Sequence, residues 1–209
     1  MKITSEWIYK QLLEAIEYRQ RELRINVIHV SEVSQCLRKS YFNRTKSIII
    51  SDIQILLNSI GDAIHKMFQQ YMTSKGWSAE FEISMSLKDF QLVGHVDLYN
   101  PLENVIIEIK TINGIPNEPY RSHVLQANTY GFMARVKNIF IAYIDRARGR
   151  IKVFKINRDK QMFKEVMRRA KLLHKSLKSK QPPSPEPSPL CNLCPWRSIC
   201  KVINYGKKQ

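Results

Sequence analysis

The sequence predicts an α/β fold with a central mixed sheet flanked by helices. Three observations carry that prediction. Helical periodicity fills the front of the chain as far as Met72, strand alternation takes over from Ala79, and one helical stretch, Pro119–Ala134, is embedded between strands. Helices, then a mixed sheet with a helix inside it, then a last helix and a cysteine tail is an order that suits layered packing around one core. With 209 residues, 44% of them hydrophobic, the chain can bury one substantial core.

Residues 5–24 set Trp7, Ile8, Leu12, Ala15 and Ile16 along one side of a helix. Ser31–Tyr41 reads as a second helix carrying Cys36, with Ser31 as its N-cap. Ile53–Met72 is a third, with Ile60, Ile64, Met67 and Phe68 at helical spacing and His65 among them. Ala79–Leu87 alternates Phe81, Ile83, Met85 and Leu87. Phe90–Tyr99 follows across a turn at Lys88-Asp89, and Val105–Ile109 across Asn100-Pro101-Leu102-Glu103. After the embedded helix come strands Asn138–Ile144 and Arg150–Ile156, joined around Arg148-Gly149. Asp159–Ser179 is a basic amphipathic helix with Phe163, Val166, Ala170, Leu173 and Leu177 inward. Residues 181–189, Gln-Pro-Pro-Ser-Pro-Glu-Pro-Ser-Pro, are expected to lie extended, at about 3.1 Å per residue. They read as a strap that carries the last three cysteines back to Cys36; a loose linker to a separate mini-domain is the alternative. The expected organisation is a core over residues 1–180, with a helical region over residues 1–75 that carries Cys36, and a strap with cysteine segment over residues 181–209 packing back on it.

The net charge is +16, from 34 Lys and Arg against 18 Asp and Glu. That excess fits a polyanionic partner, because basic side chains that contact phosphates release condensed counterions. A surface charge that only keeps the protein soluble is the bland alternative. Arg146, Arg148, Arg150 and Lys152 gather at one turn and are the better candidates to track a phosphate backbone. Lys160, Lys164, Arg168, Arg169, Lys171, Lys175 and Lys178 are in good measure a solvated helix face. Tyr41, Phe42 and Tyr120 suit either base stacking or the core. The N-terminus is an amphipathic helix rather than a signal peptide, and no apolar run approaches a membrane span. A cytoplasmic setting without a membrane partner is expected, where a cysteine group reads as metal binding rather than as disulfides.

The chemistry concentrates in Gly94-His95-Val96-Asp97 and Glu108-Ile109-Lys110. If the two segments are adjacent strands joined near Pro101, Asp97 and Glu108 approach each other, and Glu108 and Lys110 share a face. Two carboxylates beside a lysine suit phosphodiester hydrolysis: the acids hold a divalent cation, and the amine places the water and offsets developing charge. Glu108 interrupts Val-Ile-Ile-x-Ile, where a charge is costly unless paired or metal-bound. An exposed Glu108–Lys110 pair on an edge strand is the structural alternative. His65 lies four residues after Gly61, and Gln126 and Tyr130 stand four apart on one helix face. Cys36 stands alone near the front, whereas Cys191, Cys194 and Cys200 are spaced C-x2-C-x5-C. By spacing, four thiolates suit zinc as well as an iron–sulfur cluster, and either would close a long loop and stabilise the fold.

The ordered set G-x3-H, G-x2-D, E-x-K and Q-x3-Y, bracketed by one early and three late cysteines, resembles the RecB-like branch of the PD-(D/E)XK nucleases. It is most similar to the CRISPR-associated Cas-four family and its relatives in archaeal viruses and plasmids, from about Ser31 to Cys200. The resemblance implies a restriction-endonuclease-like core and gives His65, Asp97, Glu108 and the carbonyl of Ile109 to a catalytic Mg²⁺ or Mn²⁺. It gives Lys110 to the attacking water, Gln126 and Tyr130 to bracing the site or touching nucleic acid, and Cys36, Cys191, Cys194 and Cys200 to a [4Fe–4S] cluster. It implies exonuclease or endonuclease action on DNA, especially single strands and ends, with a 3′-oxygen leaving group. Partners would be a second copy or CRISPR adaptation proteins, and the setting antiviral defence or the host cytoplasm of a virus. The chain departs from the family at Cys36-Leu37-Arg38-Lys39, where Cys-Pro-Arg-Arg is common, and no proline precedes Asp97; Val96 stands there instead, as is common in the RecB-like branch. A non-catalytic DNA-binding or assembly subunit with a structural metal is the rival from another class, and an RNase on the same core a further one.

Overall fold

The alternation seen in the sequence builds a mixed sheet of six strands in the computed structural model, which describes residues 3–16, 23–47 and 51–200. The strands are β1 (Val27–His29), β2 (Ser78–Ser86), β3 (Gln91–Asn100), β4 (Val105–Ile112), β5 (Asn138–Asp145) and β6 (Arg150–Ile156). The helices are α1 (Ser5–Ala15), α2 (Val30–Val33), α3 (Leu37–Thr45), α4 (Asp52–Thr73), α5 (Arg121–Met133), α6 (Lys160–Ser179) and α7 (Arg197–Cys200), with a 3₁₀ turn at Pro189–Leu193. The expected α/β architecture is what forms.

β3 organises the sheet. β2 runs antiparallel along it from Ser78↔Tyr99 to Ser86↔Gln91. That occupies one edge, so the other is shared: β1 pairs in parallel with Gln91–Val93, and β4 pairs antiparallel only from Leu98↔Ile107 to Asn100↔Val105. Beyond Leu98 and Ile107 the two strands part and β4 continues with β5 alone, in parallel register from Val105↔Asn138 to Ile112↔Asp145. The β3–β4 turn is fixed by Asn100, whose Oδ1 accepts from Leu102 N at 3.0 Å and Glu103 N at 3.1 Å. A parallel pair needs a crossover, and α5 supplies it between β4 and β5. α5 and α6 pack together, α6 also touches α2, α3 and β1, and α4 lies on β2, β3 and β4.

Two local differences from the sequence reading have physical causes. The helix expected over Ser31–Tyr41 is broken into α2 and α3, so Ser31 is no N-cap and Cys36 is the N-cap residue of α3. The carbonyls opened by the break are taken by Arg169 of α6, whose Nε donates to Val33 O at 2.6 Å and whose Nη2 donates to Gln35 O. Glu32 adds a second tether, accepting His29 N at 2.9 Å and Arg44 Nε at 2.6 Å. The first helix stops at Ala15 rather than running to residue 24, and residues 23 and 24 are not helical; the stretch 17–22 lies outside the described residues.

One hydrophobic cluster joins Ile28, Val33, Leu37, Phe42, Leu92, Ile106, Tyr130, Leu173 and Trp196. Tyr41 and Phe42 are core residues, 6% and 5% exposed, whereas Tyr120 is half exposed. The proline-rich segment runs over α3 and α6: Arg38 Nη1 donates to Pro183 O at 3.3 Å, and the carboxylate of Glu186 accepts Leu37 N at 3.0 Å and Arg169 Nη2 at 3.0 Å. Trp196 then stacks near Phe42, centroids 5.8 Å apart, and donates Nε1 to Asn43 Oδ1 at 2.6 Å. Among the described residues no helix is long and apolar enough to cross a membrane.

Candidate active site

Asp97 and Glu108 are the first residues past the last β3–β4 pair, so they face each other in the fork where the strands part. Ile109 N, which has no β3 partner there, donates to Asp97 Oδ2 at 2.6 Å. Glu108 is 1% exposed and its Oε1 accepts from Lys110 Nζ at 2.6 Å, two residues on and on the same face. β4 is an interior strand, which removes the alternative of an exposed pair on a sheet edge. Ile109 enters the site through its amide hydrogen.

α4 crosses this fork. Gly61 brings it close to β4, because a Cβ there would stand 2.8 Å from Thr111 Oγ1. One turn on, His65 Nδ1 lies 3.8 Å from Asp97 Oδ1. One turn further, the buried amide of Gln69 donates to Asp97 O at 3.2 Å and to Glu80 Oε1 at 2.9 Å. From the other helix, Gln126 Nε2 donates to Tyr130 Oη at 3.0 Å, and both side chains are buried. Tyr130 lies flat against β3: a Cβ at Gly94 would meet its ring at 2.4 Å. The glycines of G-x3-H and G-x2-D thus admit a helix in one case and a ring in the other.

Burial governs the electrostatics. It pushes the Glu108 carboxyl up to about 8, with Lys110 opposing and Asp97 adding to the shift. It pushes Asp97 up to about 6 against the pull of Lys110 and of the Ile109 amide. Burial alone would pull Lys110 down, but Glu108 and Asp97 outweigh it and hold the ammonium above its ordinary value. His65 is held below its ordinary value by burial and by the charge of Lys110. Burial and Glu108 push the Tyr130 phenol up.

A cleft of about 820 Å³ opens beside His65 and Lys110, which line it with Asp62, Lys66, Thr111 and Arg146; Asp97 and Glu108 lie behind them and do not line it. Much of the basic turn is committed to structure: Arg146 donates to Leu57 O at 2.8 Å and Asn113 Oδ1 at 2.9 Å, and Lys152 to Asn117 O at 3.1 Å. Arg148 and Arg150 lie 3.5 and 3.4 Å from Asp145 Oδ2. Sequence reasoning missed Gln69, Glu80, Thr111, His123 and Tyr143. His123 is pulled down to about 4 by burial and Lys110; its Nδ1 and the Tyr143 hydroxyl share a hydrogen bond of 2.8 Å, and the same hydroxyl accepts Tyr120 N at 3.0 Å. Tyr143 pairs with Lys110 across β4 and β5. Nothing in a linear pattern marks these polar residues; only the register does.

The donor set suits a hard divalent cation: Glu108 Oε2 is buried without a hydrogen-bond partner among the described residues, beside a second carboxyl that burial also penalises. Among the described residues, however, no three His, Cys, Asp or Glu side chains stand gathered in ligand geometry, and Lys110 holds Glu108 by its other oxygen. Cys36, Cys191, Cys194 and Cys200 are free and half-buried. The Cys200 thiol is pushed up by burial, eased by Arg38, and pushed further by Cys36, Cys194 and Cys191, so the four lie within electrostatic reach of one another. They too are not gathered as ligands.

No curated protein matches the chain in sequence. Among solved structures, SSO0001 superposes with a TM-score of 0.69 at 22% identity, over 96% of this chain and 97% of its own. The alkaline exonuclease LHK-Exo from Laribacter hongkongensis gives 0.52 at 13% identity, over 75% of this chain and 90% of its own. Its complex with dAMP gives 0.51 at 14%, over 85% and 94%. At these identities the likeness concerns the fold. The family model described as the PD-(D/E)XK nuclease superfamily matches residues 32–201, a span that holds the fork, all of α4 and all four cysteines. The chain belongs to the PD-(D/E)XK nuclease superfamily.

Proposed function

We propose that this protein is a divalent-cation-dependent nuclease that hydrolyses DNA, with a preference for single strands or free ends. The observation that carries the reading is the buried acid pair in the fork, with Glu108 Oε2 unpartnered among the described residues and Lys110 alongside at 2.6 Å from Oε1. His65, Asp97 and Glu108 would hold Mg²⁺ or Mn²⁺, with the Ile109 carbonyl as a further oxygen. The cation supplies charge that offsets the scissile phosphate and acidifies water. The Ile109 amide fixes Asp97 by its Oδ2 and so aims the opposite oxygen towards His65. Lys110, held above its ordinary value, is an ammonium at neutral pH. It therefore donates, placing water and offsetting charge, and does not act as a base. Tyr130, braced by Gln126, packs the strand that carries Asp97.

The test is incubation of end-labelled single-stranded DNA with the protein and Mn²⁺. Cleavage is expected, lost with EDTA and in Asp97→Ala and Lys110→Ala; cleavage that persists in either variant overturns the site. The non-catalytic binder would retain DNA without turnover, and ribo- against deoxy-oligonucleotides separate an RNase.

Cys36, Cys191, Cys194 and Cys200 would hold a [4Fe–4S] cluster or zinc that joins α3 to the C-terminal segment, with residues 181–209 as a strap on a core of residues 1–180; the bonds of Glu186 to Leu37 N and of Trp196 to Asn43 support that docking. Brown absorbance of anaerobically purified protein is expected; a colourless sample with stoichiometric zinc replaces the cluster with zinc. With such a cluster the protein would fall in the Cas-four family, in a reducing cytoplasm, with adaptation proteins or a second copy as partners.

A further inference from the structure

β2 pairs with β3 in one constant register, Ala79↔Leu98 and then Phe81↔Val96, which sets Glu80 directly across from Asp97. Yet that one pair is absent from the ladder, and Glu80 sits at φ 47, in the left-handed region that a glutamate in a strand rarely adopts. The polar groups released there are retied to α4. Gln69, only 6% exposed, sends its single amide nitrogen to the Asp97 carbonyl at 3.2 Å and to Glu80 Oε1 at 2.9 Å. Gln69 lies one turn after His65, which reaches the Asp97 carboxylate over 3.8 Å. α4 thus meets Asp97 twice: His65 stands 3.8 Å from its carboxylate, beyond hydrogen-bond length, and Gln69 bonds its main-chain carbonyl.

We propose that Gln69 and Glu80 are positioning residues that lock α4 to β3 at Asp97 and so hold His65 and Asp97 ready for a divalent cation. Glu80 acts through Gln69: its carboxylate fixes the amide that fixes the Asp97 carbonyl. The left-handed backbone at 80 is what turns the strand away from its partner and frees that carbonyl. This rests on the cation site proposed above.

The test measures Mn²⁺ binding by electron paramagnetic resonance alongside the Mn²⁺ dependence of DNA cleavage and thermal unfolding, on the full chain. Gln69→Leu removes both bonds and is expected to raise the Mn²⁺ half-saturation about tenfold, with turnover at saturating Mn²⁺ close to the parent's. Glu80→Gly accepts the left-handed backbone and removes only the exposed carboxylate, so it keeps the parent's melting temperature while its Mn²⁺ dependence shifts the same way. Glu80→Gln, which retains an acceptor for Gln69, restores most of the affinity. A merely structural role would lower stability without moving the Mn²⁺ curve. If Glu80→Gly, folded, binds Mn²⁺ as the parent does, the proposal is wrong, whatever Gln69→Leu does to folding. If the parent's Mn²⁺ binding is unchanged by Asp97→Ala, the cation site itself fails, and this proposal with it.

Discussion

Proton release on cation binding follows directly from the buried acid pair. In the metal-free fold burial, ahead of every other cause, pushes the Glu108 carboxyl up to about 8 and the Asp97 carboxyl up to about 6. The folded protein therefore keeps protons that the unfolded chain, with carboxyls near about 4, gives up. The stability these groups contribute is complete below that value and is lost as pH climbs through about 6 and then about 8. A cation needs both acids ionised and expels whatever protons remain. At pH 7 that is about one proton per cation, from Glu108, and towards pH 5 about two. His65, held below its ordinary value, adds no third near neutrality. Mn²⁺ affinity should rise about tenfold per pH unit between the two carboxyl values, more steeply below them, and level off above; two such units amount to about 2.7 kcal/mol. Calorimetry in two buffers of different ionisation enthalpy reads the proton count directly, and Glu108→Gln should abolish the proton released at neutral pH. An affinity that does not change with pH, with no proton released at pH 7, would mean that both acids are already ionised, and the electrostatic argument would fall.

Two other substitutions probe the packing that frames the site. Gly94→Ala sets a methyl 2.4 Å from the Tyr130 ring, which is 2% exposed and cannot swing away. The expected cost is about 1–3 kcal/mol, a melting temperature lower by about 2–4 °C per kcal/mol, and Tyr130→Leu in the same chain should recover much of it. Trp196→Ala empties a site against Phe42 and removes the bond to Asn43 Oδ1, which is exposed and passes to water. Denaturant unfolding should show a loss of about 3–5 kcal/mol; a loss well under about 1 kcal/mol would show that the C-terminal segment contributes little to the fold.

What the sequence discloses depends on how far a signal repeats. β2, β3, β5 and β6 lie within a residue of their expected bounds because alternation over seven or more positions has few other readings. β1 is only Val27–His29, too short to alternate, and forms because β3 offers it an edge. The break at Ser34–Cys36 is invisible in the sequence, because the guanidinium that satisfies it comes from Arg169, over a hundred positions away in the chain. The meeting of Asp97 and Glu108 is legible, since a short turn at Pro101 dictates the antiparallel register. Gln69 and Glu80 are not: a glutamine on a helix and a glutamate near a strand's start are ordinary, and only the register that sets 80 against 97 gives them a task.

A carboxylate in the middle of a fully paired central strand has no reason to be stable: its neighbours' amides are spent on the ladder, and nothing remains to solvate it. At Asp97 that obstacle is removed by ending the ladder to β4 and skipping one pair in the ladder to β2. Because β4 leaves β3 at Leu98, the Ile109 amide is free and turns to Asp97 Oδ2. Because the 80–97 pair is missing from β2, the Asp97 carbonyl is free and is taken by Gln69 of the same helix that carries His65. One interruption delivers an amide to the carboxylate and the other ties the main chain of the same residue to α4, so the released groups find new partners at the fork. The second acid fares differently: Lys110 satisfies one oxygen of Glu108 and leaves the other bare among the described residues. The sheet thus gives the Asp97 carboxylate one spare amide but leaves Glu108 short of positive charge. A cation between the two would meet that need, and an apolar pair at 97 and 108, which would let the strands zip together, would not.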